Sequence, residues 1–238
     1  MGGLLSFPFC IQAQIEIGIG VGMSRNKLAI INRTERLFTS YRPVNGIAAE
    51  LIFKYPLHKY ISVRIEPSFV GKNYSLVRSG YYQGVFQTTY NSYLQFPIIF
   101  TGSVDYHQFS VGISAGGYSS YWARSTRQGV LPNLSNLSLQ DDGYTNVFQD
   151  MQPYSYKEDY QLAANMHRRW EFGWLIGTDF QYKVAKQLTV FVAPRYSYAL
   201  TGQVQNPHIG QEQRYNETLT IFAGLLFKIK SISTKNEK

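Results

Sequence analysis

The chain has 238 residues, 44% of them hydrophobic, 16% aromatic and only 16% charged, with 20 Gly and 19 Tyr; it can bury a large apolar surface as one domain. Charge that sparse, against about 25% in soluble domains, points to a β-rich protein that keeps much of its surface out of water, while the formal net charge of +8 leaves a basic surplus to be placed. No apolar run approaches the roughly 18 residues of a transmembrane helix, and a lone Cys10 with no CxxC, HExxH, GxGxxG or GxxxxGK[ST] string gives no support to metal, dinucleotide or P-loop chemistry, so no cofactor is expected.

Residues 1–13, MGGLLSFPFCIQA, form an apolar stretch ending in Ile11-Gln12-Ala13 and read as the hydrophobic core and cleavage site of a secretory signal, with Gln14 opening the mature chain. A first buried strand is the other reading, but Pro8 would interrupt it. No Lys or Arg precedes Arg25, so the true start of translation is expected to lie upstream.

From Ile15 onward the dominant pattern is period-2 alternation, which predicts strands over 15–24, 46–56, 60–73, 91–102, 107–121, 168–183, 188–202 and 215–230. One parity carries Ile15, Ile17, Ile19 and Val21, then Leu51 and Phe53, Val63 and Ile65, Phe96 and Ile98, Val111 and Ile113, Phe172 and Ile176, Val190 and Val192, and finally Ile221 and Phe227, with no charge anywhere. The other parity holds Glu16, Glu50, Glu66, Glu171 and Asp179 together with Lys54, Arg64, Lys72, Arg195 and Lys228, interleaved with glycines such as Gly18, Gly20, Gly112, Gly116 and Gly177.

Alternation alone leaves two facings open: a lipocalin-like soluble barrel buries its apolar parity, a membrane barrel exposes it to lipid. Connections alternate between short (57–59, 104–106, 184–187) and long (25–45, 74–90, 122–167, 203–214), the asymmetry of periplasmic turns and external loops. Aromatic residues gather at the strand ends, Tyr55, Tyr60, Tyr106 and Tyr182 near short turns and Tyr74, Tyr118, Tyr121, Trp122 and Trp170 near long loops, as two interfacial girdles would. Small glycines and matched charges also suit the narrow interior of eight strands. The expectation is therefore an all-β, eight-stranded antiparallel up-and-down transmembrane barrel over residues 14–230, in the bacterial outer membrane, with a polar tail at 231–238; a secreted lipocalin-like carrier of an apolar ligand is the alternative. Pro67, Pro97 and Pro194 fall inside predicted strands and call for bulges there.

The strings IEIGIGVGMS (15–24), NGIAAELIFKYPLHKYISVRIEPSF (45–69), YLQFPIIF (93–100) and VAPRYSYALTG (192–202), with a final strand ending in Phe227, resemble the small outer-membrane barrels of the PorT-like family, grouped with OmpA-like eight-stranded barrels. That resemblance covers nearly the whole mature chain. It implies an outer-membrane location, a signal peptide and, for the best-known members, a role in protein secretion through a dedicated apparatus.

Chemistry has little to stand on. His58 and His107 belong to short turns, whereas His167 and His208 lie in long connections near Asp141, Asp142 and Asp159, where an Asp/His pair of a rim hydrolase could in principle form; the expectation is a non-enzymatic protein with no catalytic, cofactor or metal residues. Glu16, Glu50, Lys54, Arg64, Glu66, Glu171, Asp179 and Arg195 form a luminal charge network, read as a closed set of ion pairs in preference to an ion path. The basic surplus falls in loops and ends, among them Arg25, Lys27, Arg42, Arg78, Arg124, Arg127, Arg168, Arg169 and Arg214, where it would meet outer-membrane lipid and the phosphates of lipopolysaccharide; it is too scattered for nucleic acid. The long connection 123–167 is the expected contact for envelope or secretion-system proteins, through Tyr144, Phe148, Tyr154, Tyr156 and Tyr160, unless these rings fold back over the barrel mouth.

Overall fold

The computed structural model describes residues 15–31, 38–80, 83–132, 153–163, 166–205 and 213–229. The signal segment 1–13, the tail 231–238, Asp141, Asp142, His208, Tyr144 and Phe148 lie outside the described residues.

The described elements are antiparallel strands: β1 (Glu16–Ile31), β2 (Thr39–His58), β3 (Ile61–Ile65), β4 (Ser68–Gly71), β5 (Tyr74–Arg78), β6 (Phe86–Tyr106), β7 (Phe109–Pro132), β8 (Pro153–Asp159), β9 (Trp170–Lys183), β10 (Leu188–Ala199) and β11 (Gln213–Lys228). Strands β3, β4 and β5 occupy one position between β2 and β6, so they act as a single interrupted strand. The order then runs β1, β2, β3–β5, β6, β7, β9, β10, β11, and β11 returns to pair with β1 from Glu16↔Lys228 to Ile31↔Gln213. This is an eight-stranded ring with no open edge, which satisfies every ladder inside hydrocarbon. Strand β8 stands outside the ring, paired to the outer part of β7.

The facing follows the uncharged parity. Val21, Ile47 and Ile113 are 69%, 73% and 73% exposed on the outside, while Arg64, Glu66 and Lys72 are sealed within. A lipocalin-like interior would be apolar, so the carrier reading fails on the contents of the lumen. Two apolar clusters lie at the inner wall, Ala48, Ile52, Phe191, Ala193, Phe222 and Leu226 in one and Ile99, Tyr118 and Leu175 in the other.

Three expectations are corrected. First, Pro67, Pro97 and Pro194 sit without any register shift: the pairings 53↔65 and 48↔70 flank Pro67 in one register, and Pro97↔Tyr118 and Pro194↔Ile221 are ordinary partners. Their carbonyls remain useful, Leu51 N–H donating to Pro67 O at 2.9 Å and Glu66 N–H to Pro97 O at 3.3 Å. The irregularity in β6 lies instead at Ser92/Tyr93, where β7 contributes the extra residue Ala123. Second, much of the predicted long connections is strand: β1 continues to Ile31, β2 begins at Thr39, β6 at Phe86, and β7 runs on to Pro132. Arg25, Lys27, Arg42, Arg78, Arg124, Arg127 and Arg214 therefore stand on strands, held by backbone ladders. Third, Tyr74, Tyr118 and Trp122 are buried on the luminal side and do not belong to the outer girdle; in β7, Tyr118 and Trp122 share the parity of Gly112 and Gly116, which already faces inward. Tyr121 and Trp170 do form the outer girdle, their rings 5.2 Å apart.

Candidate functional site

The lumen is filled by three tiers of charge. Nearest the short turns, Lys54 Nζ lies 2.9 Å from Glu16 Oε2 and Lys228 Nζ 3.5 Å from Glu16 Oε1. Residue 16 of β1 is the direct partner of residue 54 of β2 and residue 228 of β11, so the ladder itself sets these three side chains on one row.

In the middle tier Arg64 donates to both oxygens of Asp179, at 2.8 and 2.7 Å, and its Nε lies 3.3 Å from Glu66 Oε1. Arg195 also forks onto Glu66, donating from Nη2 to Oε1 at 3.0 Å and from Nη1 to Oε2, while Nη1 reaches Glu50 Oε2 at 3.2 Å. Such planar, bidentate pairing is what a guanidinium offers and an ammonium does not. Glycine makes the room: a Cβ on Gly177 would lie 2.8 Å from Arg195 Cγ, and one on Gly20 would lie 2.9 Å from Glu50 Oε1. Beside Glu50, Gln95 and Arg195 the packing leaves about 20 Å³, space for roughly one water molecule.

In the outer tier Lys72 Nζ lies 2.5 Å from Glu171 Oε1, which also accepts from Tyr118 OH at 3.0 Å, and Asn216 Nδ2 donates to Glu171 Oε2 at 2.5 Å. The Lys72 ammonium stands over the rings of Tyr93 and Tyr118, at 4.8 and 5.0 Å from their centroids. Above it Asn26 donates to Asn216 at 3.0 Å, and Thr218 Oγ1 donates to Asn26 Oδ1 at 2.8 Å. All eight network residues expected from the sequence are thus brought into the lumen, joined by Lys72 and Lys228 from the same parity. Tyr93, Asn26 and Asn216 join them without being marked by charge: Asn26 shares parity with Glu16 and Asn216 with Lys228, while Tyr93 alternates with lipid-facing Leu94.

Past the ring, β6, β7 and β8 continue as an extracellular extension. Tyr156 donates to Gln87 Oε1 at 3.1 Å across its inner face, and the Arg127 guanidinium sits 3.2 Å from the Tyr160 ring centroid. Tyr156 and Tyr160 thus fold over the mouth, whereas Tyr154 is exposed. On the outer face Arg124 donates to Asp159 at 2.8 and 3.0 Å and Thr126 Oγ1 to Asp159 Oδ1 at 3.1 Å; these contacts, Arg124 first, hold the Asp159 carboxyl below its ordinary pKa. An open groove of about 660 Å³ runs along this face, lined by Tyr90, Arg124, Gln128, Lys157 and Asp159 among others.

The imagined Asp/His pair does not form between the described members. Asp159 faces outward with Thr126, whereas His167 packs at the mouth, its Nε2 2.9 Å from Tyr160 OH and its Nδ1 3.3 Å from Ala163 O. Burial first, then Arg127 and Arg214, keep the His167 imidazole below its ordinary pKa. Among the described residues no three His, Cys, Asp or Glu side chains converge as a metal site requires.

Among curated proteins none matches the chain by sequence. The chain is similar in structure to the outer membrane protease OmpT of Escherichia coli, at 12% identity over 95% of this chain and 99% of that one, with a TM-score of 0.50. It is also similar to OprG of Pseudomonas aeruginosa (12% identity, 92% and 98% covered, TM-score 0.48) and to neisserial surface protein A (10%, 90% and 97%, 0.43). At such identities the likeness concerns fold alone. A family model described as outer membrane protein beta-barrel domain matches residues 11–204. With most of the chain matched, and an uncharged outer face around a closed ring, the protein belongs to the outer membrane protein beta-barrel domain family and is an integral β-barrel of the bacterial outer membrane.

Proposed function

We propose that the protein is a non-enzymatic, non-conducting barrel that anchors a docking extension at the cell surface, through which it engages another protein of the envelope or of a secretion system. The secretion role is what the resemblance to PorT-like barrels implies. The observation that carries the docking reading is the edge of β8. Among the described residues β8 pairs with β7 alone. Tyr160 N–H donates to Ser125 O at 2.9 Å, and because directly opposed residues alternate between bonded and non-bonded pairs, Ser155, Lys157 and Asp159 turn their backbone groups away from β7. An extended segment of a partner could add to that edge, with exposed Tyr154 as an aromatic anchor beside it.

The test places a photocrosslinking residue at position 157 in cells, with one at position 59 in a periplasmic turn as the comparison. A protein adduct is expected at 157 alone and should vanish on Ser155→Pro, which deletes an edge N–H without touching the β7 ladder. An adduct indifferent to that proline, or none at 157, counts against the reading.

A further inference from the structure

Among the extracellular cations, two groups face opposite ways once the strands are in place. Arg127 and Arg214 turn inward, over the rings of Tyr160 and Tyr41. Arg25, Lys27 and Arg42 turn outward on the adjoining strands β1 and β2. Along β1 the lipid-facing row is Ile17, Ile19, Val21 and Met23, and its next two members are Arg25 and Lys27, both exposed. Arg25 lies directly opposite Asn45 of β2 and Leu219 of β11, one step beyond the partners Met23, Ile47 and Ile221. In β2 the alternation changes phase around Pro43 and Val44, leaving Ser40 and Arg42 exposed while Thr39 is buried.

The rows below these cations hold no charge: Ile47, Ala49, Leu51 and Phe53 on β2, and Leu219, Ile221, Ala223, Leu225 and Phe227 on β11. The three cations therefore crown a continuous apolar face at the height where a bilayer turns from hydrocarbon to headgroup. Their only ion pair among the described residues is Lys27 with Glu217, at 3.8 Å. Several other outward cations are engaged: Arg124 with Asp159, Arg169 with the Trp122 and Ala123 carbonyls and the Tyr121 ring, and Lys183, at the periplasmic end, with Asp105 at 3.1 Å; exposed Lys157 and Arg168 stand on β8 and before β9, away from the β1, β2 and β11 face.

We propose that Arg25, Lys27 and Arg42 are a seat for the phosphate of an outer-leaflet glycolipid, whose acyl chains lie along Met23, Ile47, Ile221 and Leu51. Two guanidinium forks and an ammonium suit phosphate oxygens at an interface, where each base near an anionic headgroup adds appreciably to binding. Continuity with the apolar face selects a lipid over a free anion, because the ligand must satisfy both levels at once. The site is independent of the β8 edge and stands or falls without it.

The experiment measures binding of purified lipopolysaccharide to the refolded barrel in phosphatidylcholine vesicles at low salt. Each of Arg25→Gln, Lys27→Gln and Arg42→Gln should weaken binding about fivefold and the triple variant about 100-fold, while Lys183→Gln leaves it unchanged. Binding should also fall as salt is raised. All variants must keep the heat-dependent gel shift of a closed barrel in vesicles lacking the glycolipid; if the triple variant loses it, the single variants carry the test. A triple variant that binds as well as the wild type overturns the proposal. So does full competition by inorganic phosphate at equal phosphate concentration, which would make the site a free-anion site.

Discussion

At the scale of single residues, the lumen is a place where removing half of a pair is worse than removing all of it. Arg64 and Asp179 are each about 1% exposed and meet through two hydrogen bonds. Arg64→Met leaves Arg195 alone to face Asp179, Glu66 and Glu50, with Asp179 stripped of both its hydrogen bonds from Arg64, and should cost about 3–5 kcal/mol of folding stability. Arg64→Met with Asp179→Leu should recover most of that, since the cation and the carboxylate it holds by two hydrogen bonds leave together and Arg195 keeps its contacts to Glu50 and Glu66. Urea unfolding of the refolded proteins in lipid vesicles measures both; a double variant no better than the single one would show that the pair is worth more than its desolvation.

Elements differ in how plainly the sequence announces them. Within the bilayer the two faces of a strand meet lipid and a polar lumen, so the alternation of Ile19 and Gly20, or of Ile176 and Gly177, marks strand, register and facing together. Beyond the bilayer both faces meet water or polar neighbours, the contrast disappears, and segments such as Arg25–Ile31 and Arg124–Pro132 read as loop although they are strand. The luminal network was legible for the same reason the strands were, because charge on a period of two has nowhere else to go. Its aromatic and amide members, Tyr93, Tyr118 and Asn216, were harder to see, since Tyr suits a girdle as well as a lumen. No periodicity could reveal β8, whose order depends on pairing with β7. The connection between β8 and β9 is fastened at His167, which packs its ring against Trp122 and Tyr160. With a folded pKa below the ordinary imidazole value, His167 contributes stability that is complete above the ordinary value and is lost as pH falls through it towards the folded one. Protection factors of the amides in 166–169, taken against the intrinsic exchange rate at each pH, should therefore fall as pH drops below the ordinary imidazole value, and His167→Phe should flatten that slope. An unchanged slope in His167→Phe would place the titration elsewhere.

For the molecule as a whole, the outward apolar face and the closed ring are one statement about solvent. Leu51 lies half-exposed in the lipid-facing row of β2, between Ala49 and Phe53. Leu51→Arg should cost about 2–4 kcal/mol near the bilayer midplane, reducing the fraction that refolds into vesicles with a heat-dependent gel shift. Leu200→Arg, an exposed residue beyond β10 at the extracellular rim, should cost about 0–1 kcal/mol. Equal losses would mean that the rows have been assigned the wrong depth.

The pairing of β1 with β11 has a consequence in time. These strands stand at opposite ends of the described chain, and Asn26 meets Asn216 across 190 residues of sequence. Ring closure must therefore wait until β11 has been synthesised and exported, with both seam edges unsatisfied until then. Glu16, which bonds Lys54 on one side and Lys228 on the other, gains its second cation only when that seam shuts. The nascent chain thus crosses the periplasm with its ring open, and β11 completes the wall that β1 began.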